Sequence, residues 1–143
     1  VNLNKSSPGT EVALNLAIKL KIDLLIIQEL WIIVEDRNYF QSRSISHPSF
    51  NQLLVPTYKF KPRTLIYTSK VLEIEVTLVP DNLDSDLLIV RLSQGINILE
   101  IINIYNKTSQ RENERLKIVE RSLFLRAILA NSLILEDFNT YHP

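Results

Sequence analysis

Cysteine and methionine are both missing from this 143-residue chain, and glycine occurs only twice, at Gly9 and Gly95. The lack of cysteine excludes disulfides and thiolate metal sites, and it fits a reducing compartment. With no methionine and Val1 at its start, the sequence reads as a fragment, a processed chain or a trimmed one. Glycine lets the backbone reach left-handed angles and lets ligands come close, so its scarcity predicts few tight ligand loops. No apolar run approaches the ~20 residues of a membrane-spanning helix. No secretory leader is visible, and no membrane partner is expected. An excess of one charge is lacking too, since sixteen Lys and Arg balance sixteen Asp and Glu. That balance gives no global attraction to nucleic acid and leaves only local basic patches.

What is present suits one folded domain. Apolar residues make up 45% and charged residues 22% of the chain, near globular averages, and the length suffices for a single core. Residues 1–4 read as the stub of a strand, and "KSSPGT" as a loop. "EVALNLAIKLK" predicts a helix with Thr10 as N-cap and an apolar stripe of Val12, Leu16 and Leu20 beside Ala13 and Ala17. Residues 22–27, nearly all apolar, predict a strand buried on both faces. Residues 34–57 read mostly as loop, with His47 a loop residue. Strands are predicted over 63–69, 72–79, 87–93 and 96–106, joined by short connections into an antiparallel meander. Residues 109–131 carry a helical stripe of Leu116, Val119, Leu123 and Ala127, and residues 132–139 close as a buried strand. The order of elements implies a single α/β domain over residues 1–143, built as a layered sandwich.

Three of these apolar runs end in polar groups: Gln28 and Glu29, then Asn103, Tyr105 and Asn106, then Asp137 and Asn139. Strand ends of layered α/β domains are rigid and close to solvent, which suits chemistry. Glu29 and Asp137 are the carboxylates that could hold Mg²⁺, a cation content with a few carboxylates plus waters and phosphate oxygens. Asn139 could position a water or a phosphate, and Tyr105 could donate a hydrogen bond to phosphate. Taken singly, each has a plainer reading: a carboxylate ending a buried strand is usually where that strand meets solvent, and Tyr105 alone is more often a half-buried core aromatic. Lys59, Lys61 and Arg63, interleaved with aromatics in "YKFKPR", suit either a nucleic-acid backbone or a charged guard on a sheet edge.

The set taken in order is more specific. "NLNKS", "IDLLIIQELW", "HPSF", "RTLIYTSK", "DLLIVRL", "INIYN" and "LILEDFNTYHP" together resemble the endonuclease/exonuclease/phosphatase superfamily. Within it they resemble the apurinic-endonuclease-like endonuclease domain of non-LTR (LINE-type) retrotransposons, especially fungal ones. The resemblance runs the length of the chain. It implies a four-layer α/β/β/α sandwich, a DNA partner, an intracellular site of action (nuclear or cytoplasmic) and Mg²⁺-dependent nicking of a phosphodiester. In a retrotransposon such a nick exposes the end that primes reverse transcription. The implied roles are metal binding for Glu29, phosphate contact for Tyr105, organisation of the metal network for Asn2, and alignment of water and phosphate for Asp137 and Asn139. His142 matches a nearby family histidine.

The chain also departs from that pattern. The family's later Asp-His pair has no counterpart after Pro143, so the fold is expected to be a partial sandwich lacking its C-terminal strands. Leu30 stands where the family often has proline, and Glu136 where it usually has glycine. Glu136 is expected to add bulk and negative charge beside Asp137 and so to repel a phosphate. The resulting expectation is a truncated, degenerate endonuclease domain, inactive as this fragment. The alternatives are a non-enzymatic remnant or interaction module that associates through exposed sheet edges, and another phosphodiesterase of the superfamily.

Overall fold

The computed structural model describes residues 1–33, 42–55, 61–79, 86–105 and 131–137, with Asp137 described by its backbone alone. Among the described residues, one helix and seven strands appear in the order α1 (Ser7–Lys19), β1 (Leu24–Gln28), β2 (Phe50–Leu54), β3 (Thr64–Ser69), β4 (Glu75–Leu78), β5 (Leu87–Gln94), β6 (Asn97–Tyr105) and β7 (Ser132–Asp137). They form a three-stranded sheet, β1-β3-β2, and a four-stranded sheet, β4-β5-β6-β7. Every pairing is antiparallel except that of β6 with β7. The expected helix over 109–131 lies outside the described residues except at its last position.

Alternation along the strands sorts the side chains into layers. Leu25, Ile27, Leu65 and Tyr67 pack with Leu14 and Ala17 of α1, which sets the helix on the first sheet. Leu24, Ile26 and Ile66 turn the other way and meet Leu88, Val90 and Ile101 of the second sheet. Leu87, Ile89, Ile102 and Ile104 form a third buried cluster, on the outer face of that sheet. The described residues thus give helix, sheet and sheet, with β1 and β3 apolar on both faces because both faces are covered.

Several expectations are corrected. The helix begins earlier than Thr10: Ser6 is the N-cap, its hydroxyl accepting from the Gly9 N–H at 3.0 Å, with Pro8 in the first turn. Thr10, Leu14 and Ala17 make the buried face, while Val12 and Leu20 are 66% and 58% exposed. The stripe spaced by four was apolar but points to solvent; the smaller residues Thr10 and Ala17 fit the close approach of helix to sheet. Residues 50–54 form β2 rather than loop. Asn51 and Gln52 break the apolar run, yet the Gln52 amide is held by the backbones of Ser44 and Ile45, and β3 supplies the ladder. His47 adjoins that strand, bridging to Phe50 and accepting from the Ser49 N–H through Nδ1 at 3.1 Å. The meander is β4-β5-β6 only, since β3 belongs to the other sheet. Finally, β7 is not a fully buried strand: Leu133 and Ile134 are exposed.

Candidate active site

The first sheet carries the opening residues at its edge. Asn2 bridges Gln28 in parallel register, the Leu3 N–H donates to the Gln28 carbonyl at 3.1 Å, and the Gln28 N–H donates to the Val1 carbonyl at 2.9 Å. The short strand predicted over 1–4 is thus a bridge beside β1. It brings Asn2 next to the end of β1. Asn2 Oδ1 accepts from the Asn4 N–H at 2.9 Å, closing a turn in which Asn4 and Lys5 both take left-handed angles.

Gln28 ties the two sheets together. Its side chain leaves the same face of β1 as Leu24 and Ile26, and Nε2 donates to Asn103 Oδ1 at 2.9 Å and to the Ile104 carbonyl at 2.8 Å. Asn103 returns a bond from Nδ2 to the Ile27 carbonyl at 3.2 Å. Both amides are buried, so each depends on the other for its polar partners. The sequence shows these two as strand-end polar residues; the fold uses them to clamp the ends of β1 and β6 face to face.

Glu29 follows with φ +51°. In a regular strand Gln28 and Glu29 would point to opposite faces. The left-handed turn at Glu29 breaks that alternation, so both side chains reach β6. Such an angle costs a non-glycine residue about 1 kcal/mol or more. The Lys5 N–H bonding the Glu29 carbonyl at 2.6 Å helps to hold it. Across the gap the Tyr105 hydroxyl donates to Glu29 Oε1. Burial pushes the Tyr105 phenol up to about 12, and the hydrogen bond to the Glu29 carboxylate and its charge push the same way, against a smaller downward pull from Arg63. Tyr105 is therefore a neutral donor at any physiological pH.

Arg63 and Asp86 complete this corner. The guanidinium forks onto the Asp86 carboxylate, Nε to Oδ1 at 2.5 Å and Nη2 to Oδ2 at 2.6 Å. Its central carbon lies 4.9 Å from the centre of the Tyr105 ring. Sequence reasoning quoted Arg63 in a basic stretch and at the head of "RTLIYTSK", and Asp86 at the head of "DLLIVRL", but gave neither a role at the site. No local signal marks them, because their meeting depends on how β3, β5 and β6 stack.

Asp137 pairs with Tyr105 in the parallel register of β6 and β7, so its backbone stands beside the same corner. Glu136 pairs with Ile104 instead. It shares the outer face with the Ile102–Ile104 cluster, while Leu135 on the opposite face packs between the sheets. The expected repulsion of a phosphate by Glu136 therefore loses its geometric basis: alternation turns its carboxylate away from Tyr105. Asn139 and His142 lie outside the described residues.

Among the described residues no group of three or more His, Cys, Asp or Glu comes together. A cage of protein ligands is thus not formed by them. The Glu29 carboxylate takes the Tyr105 hydroxyl and Asn2 Oδ1 takes the Asn4 N–H; both are oxygen donors of the kind Mg²⁺ accepts in small number, because it keeps waters and takes phosphate oxygens.

No family model matches the chain, and no curated protein matches it. Among solved structures, the chain is similar to the endonuclease domain of TRAS1, a telomere-specific non-LTR retrotransposon, with TM-score 0.67 and 15% identity. The alignment covers 99% of this chain and 58% of that one, so the chain spans little more than half the neighbour's length. At this identity the likeness establishes the fold alone: a mixed α/β fold with two sheets, shared with that neighbour.

Proposed function

We propose that the corner formed by Asn2, Glu29 and Tyr105 is the site of a DNA endonuclease of non-LTR retrotransposon origin, hydrolysing a phosphodiester with Mg²⁺. The carrying observation is the Tyr105–Glu29 hydrogen bond, which joins two sheets at their common end in a fold of the endonuclease type. Glu29 and Asn2 would hold the cation, which supplies neutralisation of phosphate charge and of the leaving oxygen. The neutral phenol of Tyr105 orients the Glu29 carboxylate and presents a donor where a phosphate oxygen would arrive. Asp137 and Asn139 align the attacking water. In this reading the partner is DNA and the site of action is intracellular, nuclear or cytoplasmic.

A second reading is an interaction module without enzymatic activity that associates through sheet edges. It is favoured by the exposed apolar residues Ile98, Leu99 and Leu133 around a cleft of about 640 Å³ at the opposite end of the second sheet. Conversion of supercoiled plasmid to the nicked form separates the two. The endonuclease reading expects nicking that needs Mg²⁺ and disappears in Glu29→Gln and Tyr105→Phe. Failure to nick at high protein concentration overturns it and leaves the interaction module.

A further inference from the structure

Three chain segments converge on the Tyr105 ring. Arg63 stands immediately before β3, Asp86 immediately before β5, and Tyr105 ends β6. Asp86 bonds in two directions. Its main-chain carbonyl accepts the Tyr105 N–H at 2.8 Å, and its carboxylate takes Arg63 in a two-pronged fork at 2.5 and 2.6 Å. Arg63 then lies over the Tyr105 ring at 4.9 Å, closing a triangle of contacts. The side chains of Arg63 and Asp86 are only 26% and 9% exposed.

Two prongs fix the plane of a guanidinium as one could not, and a fixed cation over an aromatic face fixes the ring in turn. An ion pair this enclosed is a poor device for stability alone, because desolvation offsets much of its attraction. Its location is more telling. The ring it covers is the one whose hydroxyl crosses to Glu29. The Tyr105 backbone is held by β5 and β6, whereas Glu29 belongs to the other sheet, so the inter-sheet bond depends on the tilt of the ring.

We propose that the Arg63–Asp86 pair is a positioning device: it holds the Tyr105 ring so that its hydroxyl stays on Glu29. Arg63 acts through Tyr105 and is a positioning residue of the site, not a group that contacts the reacting phosphate. This role rests on the reading of the Glu29–Tyr105 corner as a site of phosphodiester hydrolysis, but the geometry itself is testable without DNA or metal.

The test is a double-mutant cycle on unfolding by urea, with Arg63→Ala and Tyr105→Phe made singly and together. Tyr105→Phe keeps the ring under the guanidinium and removes only the hydroxyl. If Arg63 holds that hydroxyl in place, Tyr105→Phe raises the unfolding equilibrium constant about tenfold less in the Arg63→Ala background than in the parent chain. A merely structural ion pair gives independent effects in both backgrounds, and that result overturns the proposal. Arg63→Lys keeps a cation and loses the fork, which guards against an Arg63→Ala protein that does not fold. It is expected to retain part of the coupling, and additive effects with Arg63→Lys likewise overturn the proposal. Plasmid nicking measured in parallel reports on the function of the site, so a failure there is distinguishable from a failure of the positioning role.

Discussion

The Tyr105 hydroxyl donates to Glu29 Oε1, and the two residues belong to different sheets. The bond exists because Glu29 leaves its strand in a left-handed turn at φ +51°. A regular strand end would have sent its carboxylate to the helix side of the sheet.

The burial of Tyr105, reinforced by that bond, has a signature at high pH. The phenol titrates at about 12 in the fold against 10.0 for a free tyrosine, so the native state holds this proton more tightly than the unfolded chain. The resulting stabilisation is intact below pH 10 and is lost as pH rises from 10 through about 12. With solvent screening at the partly open corner, the loss attributable to this residue should be on the order of 1 kcal/mol. Comparing urea unfolding of the parent chain and Tyr105→Phe across that interval checks it, and the variant should show a shallower alkaline decline.

The Gln28–Asn103 clamp makes a prediction about pairs. Gln28→Leu or Asn103→Leu each leaves the other amide buried with a bond missing, a loss of about 1–3 kcal/mol. The double variant should lose less than the sum, because no buried amide is then stranded. The midpoints of the three urea curves decide the matter.

Lys21 offers a stabilising change. It sits at φ +54° just past the helix, with its N–H on the Ile18 carbonyl at 3.0 Å and the Ile22 N–H on the Ala17 carbonyl at 2.8 Å. This pair of bonds closes a helix with a left-handed residue, a position that favours glycine. Lys21→Gly should raise stability by about 1 kcal/mol, seen as a higher Tm, and Lys21→Val should lower it.

The helix start can be tested in the same way. Ser6→Ala removes the cap of the Gly9 N–H and should cost about 1 kcal/mol, while Ser6→Asp should be nearly neutral. Circular dichroism of the two variants, with a thermal scan, measures the difference.

How much of this was legible beforehand depended on the reach of each interaction. The strands over 22–27, 63–69, 87–93 and 96–106 correspond to β1, β3, β5 and β6 with small shifts of boundary, because an apolar run or an alternation is a local signal. β2 was not legible, because Asn51 and Gln52 earn their place only through partners in β3 and in residues 44–45. The face of α1 was misread because four-residue spacing marks apolar content and not which side meets a sheet. The grouping of strands into sheets was hidden too, since pairing is a choice among partners distant in sequence.

The sequence by itself determined the layered α/β class and the polar residues at strand ends, Glu29 and Tyr105 among them, since both follow from composition and period along the chain; Asn2 entered only through the family resemblance. The tertiary structure alone decided that Gln28 and Asn103 lock the two sheets, that Glu136 turns away from Tyr105, and that Arg63 and Asp86 gather on the Tyr105 ring. Each of these depends on register between strands and on how the two sheets stack. Register is fixed only when two sheets pack, by contacts between residues far apart in the chain.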